Sequence, residues 1–97
     1  MKRQGDLLFR KTENNISRLK VLETNIIELG ETSGHAHTLE GGTLVGWQQP
    51  DYVSVLPNSV AVITHDEHAA IELEPGIWQI IRQREYIGDG EYERAYD

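Results

Sequence analysis

The chain contains four histidines, and they occur as two close pairs, His-Ala-His at 35–37 and His-Asp-Glu-His at 65–68. Histidine is the commonest metal ligand in proteins and the only side chain that titrates near neutral pH without help from its surroundings. On a strand, side chains two residues apart share a face, so His35 and His37 can direct both imidazoles at one point. The first pair therefore has the spacing of a chelate.

The second pair needs a different local structure. His65 and His68 are three residues apart and would lie on opposite faces of a regular strand. They converge only if Asp66 and Glu67 form a turn after a strand that ends near Thr64. If they do, all four imidazoles can meet at one site; if they do not, the histidines are polar residues on the outer faces of strands.

A metal held here would have nitrogen and oxygen ligands, because the chain has no cysteine. Three or four imidazoles with water suit zinc, iron, manganese, nickel or copper. Glu40 and Glu67 adjoin the pairs and could supply a carboxylate ligand or accept a hydrogen bond from a ligating ring. Asp66 or Glu67 could also act as a general base toward a metal-bound water, or both could simply form the turn. The sequence therefore names candidate ligands without naming a catalytic residue.

A second group of residues could hold a small anion. Arg82, Arg84 and Tyr86 alternate along the last predicted strand and so share one face. Two arginines at this spacing can bind a phosphate or a carboxylate through paired hydrogen bonds. The alternative is that they neutralise Glu72 and Glu74 across a hairpin, since opposite charges commonly pair between strands.

Charge is unevenly distributed along the chain. The net charge is −7, and residues 21–81 contain nine acidic residues and no lysine or arginine. Such a segment repels nucleic-acid phosphates and attracts cations, so we expect no nucleic-acid partner. The alternative is that the acidic residues form a solvated face that only increases the solubility of the protein. No apolar run approaches the ~20 residues of a membrane span or the core of a signal peptide. We therefore expect no membrane partner and a cytoplasmic location.

The distribution of turn residues predicts an all-β protein. Turn signals recur every 8–12 residues, and no segment has a convincing helical period. We expect a small β-sandwich or a jelly-roll, cupin-like barrel of about seven or eight short strands. One strand is predicted over residues 21–29, and a hairpin is predicted over residues 70–86 with a type II turn at Pro75-Gly76. A single domain would cover residues 1–90, followed by a polar tail at 91–97.

Part of the chain resembles the first metal-binding motif of cupins. That motif has a glycine, a His-x-His pair, a glutamate and a closing glycine, and the matching positions here are Gly30, His35-Ala36-His37, Glu40 and Gly42 or Gly46. The spacings are shorter than in the family, and no histidine follows Pro75-Gly76 as the second cupin motif requires. The resemblance implies a jelly-roll metal site with His35, His37 and Glu40 as ligands, and with His65 or His68 replacing the missing histidine.

A longer likeness is to small bacterial and phage proteins of unassigned function. They share an Arg-Gln-Gly-Asp start, a Gly-His-Ala-His segment, a His-x-x-His before an Ile-x-Leu-x-x-Gly turn, and an Arg-Gln-Arg-Glu-Tyr segment, which correspond here to residues 3–6, 34–37, 65–68, 71–76 and 82–86. This likeness implies one domain from a cell or a phage. It implies no activity.

Two functions remain open at this stage. The first is a metal-binding, cupin-like domain, whether or not it is an enzyme. The second is a non-enzymatic acidic module that binds a protein partner or a small anionic ligand, as a phage or bacterial accessory or anti-defence factor would. Open sheet edges also favour pairing with a second copy, so we expect a homodimer.

Overall fold

The computed structural model describes residues 1–29 and 35–83, which form ten strands. The all-β prediction is confirmed, with ten strands in place of seven or eight. The strands are β1 (Lys2–Gln4), β2 (Leu7–Thr12), β3 (Lys20–Val21), β4 (Ile26–Leu29), β5 (Ala36–Glu40), β6 (Thr43–Gly46), β7 (Pro50–Val55), β8 (Ala61–His65), β9 (His68–Leu73) and β10 (Gly76–Arg82).

The strands form two antiparallel sheets. A six-stranded sheet has the order β1-β2-β10-β7-β6-β3, and a four-stranded sheet has the order β4-β5-β8-β9. Neighbouring strands in each sheet run in opposite directions. The histidine pairs lie at the ends of β5, β8 and β9, so the smaller sheet carries them.

One apolar core is shared by both sheets. Strand alternation sends every second side chain inward, as with Leu7 and Phe9 on β2 and with Ala61 and Ile63 on β8. β10 lies between β2 and β7, and none of its seven residues is exposed. The core residues are Leu7, Phe9, Ile27, Leu39, Leu44, Val53, Val55, Ala61, Ile63, Leu73, Trp78 and Ile80.

The single strand predicted over residues 21–29 is wrong, because the chain changes sheets within it. β3 pairs with β6 in the larger sheet, whereas β4 pairs with β5 in the smaller one. Between them, the Ile26 N–H donates to Thr24 Oγ1 and the Leu22 N–H donates to the Leu44 carbonyl. These bonds satisfy backbone groups that a continuous ladder would otherwise have paired.

The hairpin predicted at Pro75-Gly76 is also wrong. β9 pairs with β8, while β10 pairs with β2 and β7, so the Pro-Gly segment connects the two sheets. The expectation of a positive φ at the glycine is confirmed, since Gly76 has a φ of 138°. The Pro-Gly signal thus predicted the change of chain direction correctly, but it did not predict which strands β10 pairs with. The predicted hairpin's last residues, 84–86, lie outside the described residues, as does the predicted tail.

A buried arginine ties the two sheets together. Arg82, at the end of β10, donates from Nε to Glu28 Oε1 on β4 at 2.6 Å and from Nη2 to the Pro50 carbonyl at 2.7 Å. Its Nη1 also lies 3.8 Å from Asp51 Oδ1. Because Glu28 belongs to the smaller sheet, this ion pair crosses between the sheets.

The expected pairing of Arg82 with Glu72 and Glu74 is therefore wrong. Those acids lie on or just after β9, which is not a neighbour of β10. Glu74 pairs instead with Lys11, at 2.9 Å between Nζ and Oε2. In the described part of the chain, no helix has the length and apolar character of a membrane span.

We predict that Arg82→Ala lowers the free energy of unfolding by about 3 kcal/mol, because it removes the buried ion pair with Glu28 and the hydrogen bond to the Pro50 carbonyl. Urea denaturation followed by tryptophan fluorescence measures this change. Lys11→Ala breaks an ion pair whose side chains are 47% and 62% exposed, so it should lower the free energy of unfolding much less than Arg82→Ala does. Equal losses in the two variants would contradict a structural role for the inter-sheet pair.

Candidate functional site

The structure brings all four histidines together. His35 directly precedes β5, His37 lies on β5, and His65 and His68 end β8 and begin β9. The ring centroids are 4.4 Å apart for His37 and His65, 4.6 Å for His65 and His68, 5.8 Å for His35 and His65, and 6.2 Å for His37 and His68. The four side chains are called the histidine cluster below.

The second pair converges through a turn and a β-bulge. Asp66 and Glu67 form the predicted turn, and His65 pairs directly with His68 across it. The register shifts between this pair and the pair of Ile63 with Ile71, so β9 has one more residue than β8 over that stretch. The extra residue lets His68 and Ile71 share the inner face although they are three apart. The bulge therefore turns His68 toward the cluster.

A buried glutamine from the other sheet holds His37. Gln4, on β1, is 2% exposed, and its Nε2 donates to the carbonyls of Ile63 and Ala69, both at 2.9 Å. Its Oε1 must therefore be the atom that lies 2.8 Å from His37 Nδ1. Because a carbonyl oxygen only accepts, the His37 Nδ1–H is the donor. In the neutral ring this leaves the lone pair on Nε2.

Sequence reasoning missed Gln4 as a functional residue. It stands in a short polar segment far from either histidine pair, and no spacing rule links it to them. The one signal was its place in the Arg-Gln-Gly-Asp segment at residues 3–6 of the likeness given above.

The turn between β1 and β2 packs against the cluster. Gly5 has a φ of 62°, and a Cβ added there would lie 2.9 Å from His68 Nε2 and 3.4 Å from His37 Cε1. Only glycine fits this position without displacing a ring. The next residue, Asp6, places Oδ1 4.0 Å from His37 Nε2. The larger sheet therefore contributes one wall of the site.

Burial keeps His37 uncharged near neutral pH. The pKa of His37 is lowered from 6.5 to about 4, first by burial and next by the charge of His65. Asp6 acts in the opposite direction, and His68 lowers the pKa further. A buried imidazole that is neutral at pH 7 is in the form that binds metals.

Two acidic residues of the turn lie beside His35. Its Nδ1 is 3.3 Å from Glu67 Oε2, and its Nε2 is 3.7 Å from Asp66 Oδ2. The Glu67 N–H also donates to His65 Nδ1 at 3.0 Å. The lone pair of His65 Nδ1 is thereby occupied, so in the neutral ring the proton of His65 is on Nε2.

The other candidate residues do not join the cluster. Glu40 is exposed at the far end of β5, and its odd separation from His37 puts it on the opposite face of the strand. Arg82 lies in the inter-sheet ion pair described above, where Glu28 and Pro50 take its hydrogen bonds. Arg84 and Tyr86 lie outside the described residues.

The cluster is not a preformed coordination shell. Among residues 1–29 and 35–83, no group of three or more histidine, aspartate or glutamate side chains is arranged to hold a metal ion. The hydrogen bond from the Glu67 N–H also occupies the Nδ1 lone pair of His65, which a metal bound at that atom would need. Metal binding would therefore require these side chains to rearrange.

The fold and the site define an all-β protein of two antiparallel sheets with a histidine cluster where the sheets meet. The chain belongs to a family described as a domain of unknown function, DUF8820, whose sequence profile matches residues 3–83. No curated protein and no solved structure matches it. The match includes Gln4, Asp6 and all four histidines, so the whole site lies within the family's domain.

We predict that Gln4→Met lowers the free energy of unfolding by about 2–3 kcal/mol, because two carbonyls and one imidazole N–H lose their partner in a buried place. Urea denaturation measures the change. Gln83→Met is the matched control, since Gln83 Oε1 accepts from Arg3 only at the exposed surface, and it should change stability by less than about 0.5 kcal/mol. Equal effects would contradict the role assigned to Gln4.

We predict that His37 makes the metal-free protein less stable in mild acid. Between pH 6.5 and about 4 the unfolded chain takes up a proton at this ring and the folded chain does not, so stability falls as pH decreases. The loss from this residue is about 3 kcal/mol below pH 4. Urea denaturation in chelator at pH 7.5, 5.5 and 4 measures it. His37→Asn keeps a donor to Gln4, and its free energy of unfolding should fall by about 3 kcal/mol less than that of wild type over this pH range. Identical pH profiles would contradict the prediction.

Proposed function

We propose that this protein binds a divalent transition-metal ion through its histidine cluster, with His35, His37, His65 and His68 as the candidate ligands. The observation that carries the proposal is the meeting of four imidazoles from three strands of one sheet. Two imidazoles that share one zinc ion at 2.0–2.1 Å have ring centroids roughly 5 Å apart. The four separations given above, 4.4–6.2 Å, bracket that value.

His37 is the best prepared ligand. Its Nδ1–H is committed to Gln4, so Nε2 is the coordinating atom. Metal-binding histidines commonly donate their second nitrogen in this way, which fixes the tautomer and the ring orientation. Here the acceptor is itself fixed by two backbone carbonyls, so the arrangement resists rotation.

His65 is the least prepared ligand. It can bind through Nδ1 only by giving up the hydrogen bond from the Glu67 N–H, or through Nε2 only by moving its proton to Nδ1, which breaks the same bond. Metal binding by His65 therefore requires the turn at Asp66 and Glu67 to rearrange. Because both turn residues are exposed, such a rearrangement costs little apolar packing.

The ligand chemistry selects the metal class. Imidazole suits zinc, copper, nickel and iron, and a nearby carboxylate also admits manganese. The carboxylates of Asp66 and Glu67 beside His35 lower the electrostatic cost of placing a dication there. The proposal includes no substrate and no catalytic step.

We also propose that the two sheets pack as a cupin-like β-sandwich. One core drawing on both sheets supports this arrangement. So does the position of the histidines, which continue the inward-facing rows of β5 and β8 beyond Leu39 and Ile63. In such a fold the metal would close one end of the core.

We predict that protein purified without an affinity tag contains about one equivalent of a transition metal, measured by elemental mass spectrometry. Chelation should lower the melting temperature, because a ligand at 100 times its Kd adds about 2.7 kcal/mol to stability. For a domain of this size that corresponds to a shift of about 10 °C or more.

Two variants control this measurement. His37→Asn keeps the bond to Gln4 and removes the coordinating nitrogen, so it should lose both the metal and the shift. Thr38→Asn changes the next residue, on the outer face of β5, and should keep both. Metal-free wild-type protein whose melting temperature does not respond to zinc, iron, manganese, nickel or copper would refute the proposal.

Such a result would favour a second candidate function, docking of a protein partner. Trp47 and Val21 are 58% and 66% exposed. They adjoin the edge of the larger sheet, where Lys20 pairs with Gly46 and Val21 with Val45. Exposed aromatic residues are common anchors of protein interfaces.

A further inference from the structure

Asp6 lies near the coordinating nitrogen of His37, and no sequence pattern predicted this proximity. It is the second residue of the turn between β1 and β2, and its side chain is 17% exposed. The Asp6 carbonyl accepts a hydrogen bond from the Gln83 N–H at 3.0 Å, and Gly5 before it is packed against the rings of His37 and His68. The backbone that carries the Asp6 carboxylate is therefore fixed against the histidine cluster.

Asp6 and His37 lie close enough for one ion to reach both. Asp6 Oδ1 and His37 Nε2 are 4.0 Å apart, which is too far for a hydrogen bond. Nitrogen and carboxylate oxygen each bind zinc at about 2.0–2.2 Å, so one ion can reach both atoms with a wide angle between them. Because Gln4 takes the Nδ1–H of His37, both facing atoms are acceptors. A cation can therefore bind both atoms.

Asp6 also brings the charge that the cluster itself lacks. Four neutral imidazoles leave the full double charge of a metal uncompensated in a half-buried site. A carboxylate within reach offsets half of that charge at short range, where the partly buried surroundings screen it less than water would. The acids beside His35 lie on an exposed turn and are screened more strongly.

We infer that Asp6 is a carboxylate ligand of the metal proposed above, completing a mixed nitrogen and oxygen site that spans both sheets. This inference rests on the proposed function. It assigns the ion to the larger sheet as well as the smaller one, and it favours metals that accept a hard oxygen ligand, such as zinc, iron or manganese, over monovalent copper.

The test is titration of metal-free protein with Co²⁺, whose visible absorption depends on the number and kind of its ligands. We predict that Asp6→Asn binds Co²⁺ at least about tenfold more weakly than wild type, with a changed spectrum. Glu72→Gln makes the same change in net charge at an exposed position of β9 and should keep the affinity and the spectrum of wild type. Melting temperatures of the metal-free proteins check folding, and Asp6→Ser replaces Asp6→Asn if the latter is unfolded.

The outcomes separate the two proposals. Wild type that binds no Co²⁺ overturns the proposed function and this inference together. Wild type that binds, with Asp6→Asn equal to it in affinity and spectrum, overturns the inference alone. Weaker binding with an unchanged spectrum also overturns it, because the carboxylate would then act through its charge and not as a ligand.

Discussion

The hydrogen bonds of Gln4 are the interaction on which the geometry of the site depends. One amide from the larger sheet binds two carbonyls of the smaller sheet and one imidazole of the histidine cluster. One of those carbonyls belongs to Ala69, in the stretch where the bulge interrupts the ladder between β8 and β9. A β-bulge leaves backbone groups without a strand partner, and a buried carbonyl without a partner is costly. Gln4 satisfies that carbonyl and orients His37 through the same side chain.

Electrostatics and packing act in the same direction at this end of the core. The inner rows of β5 and β8 pass from Leu39 and Ile63 to His37 and His65, so the imidazoles extend an apolar layer. Burial disfavours a charge on His37, and the nearby His65 disfavours it further, so the pKa of His37 is lowered. Near neutral pH His37 therefore offers a lone pair and not a positive charge. A protein that used these histidines only for solubility would not need to bury one of them.

The sequence predicted the parts of this arrangement that depend on local geometry. Alternation along a strand indicated that His35 and His37 can share a face, and the need for a turn at Asp66 and Glu67 followed from a spacing of three. The bulge was not predictable, because Ala69-Ala70 contains neither the glycine nor the proline that often marks one. Gln4 and Asp6 were missed for a different reason. They reach the cluster through pairing between elements far apart in the chain, and no local period reports such contacts.

The errors in the predicted fold have the same origin, namely pairing between elements far apart in the chain. A Pro-Gly segment reverses the chain whether the next strand pairs with the last one or joins another sheet, and residues 21–29 are apolar and β-branched on both sides of a change of sheet. Both changes of sheet affect the site. The first leads into β4 and β5. The second leads into β10, which ends at Arg82, and the Gln83 N–H that follows donates to the Asp6 carbonyl. A site assembled from two sheets exists only when both are docked. An ion held between Asp6 and His37 would stabilise the docked state alone, so its binding free energy would appear largely as resistance to unfolding.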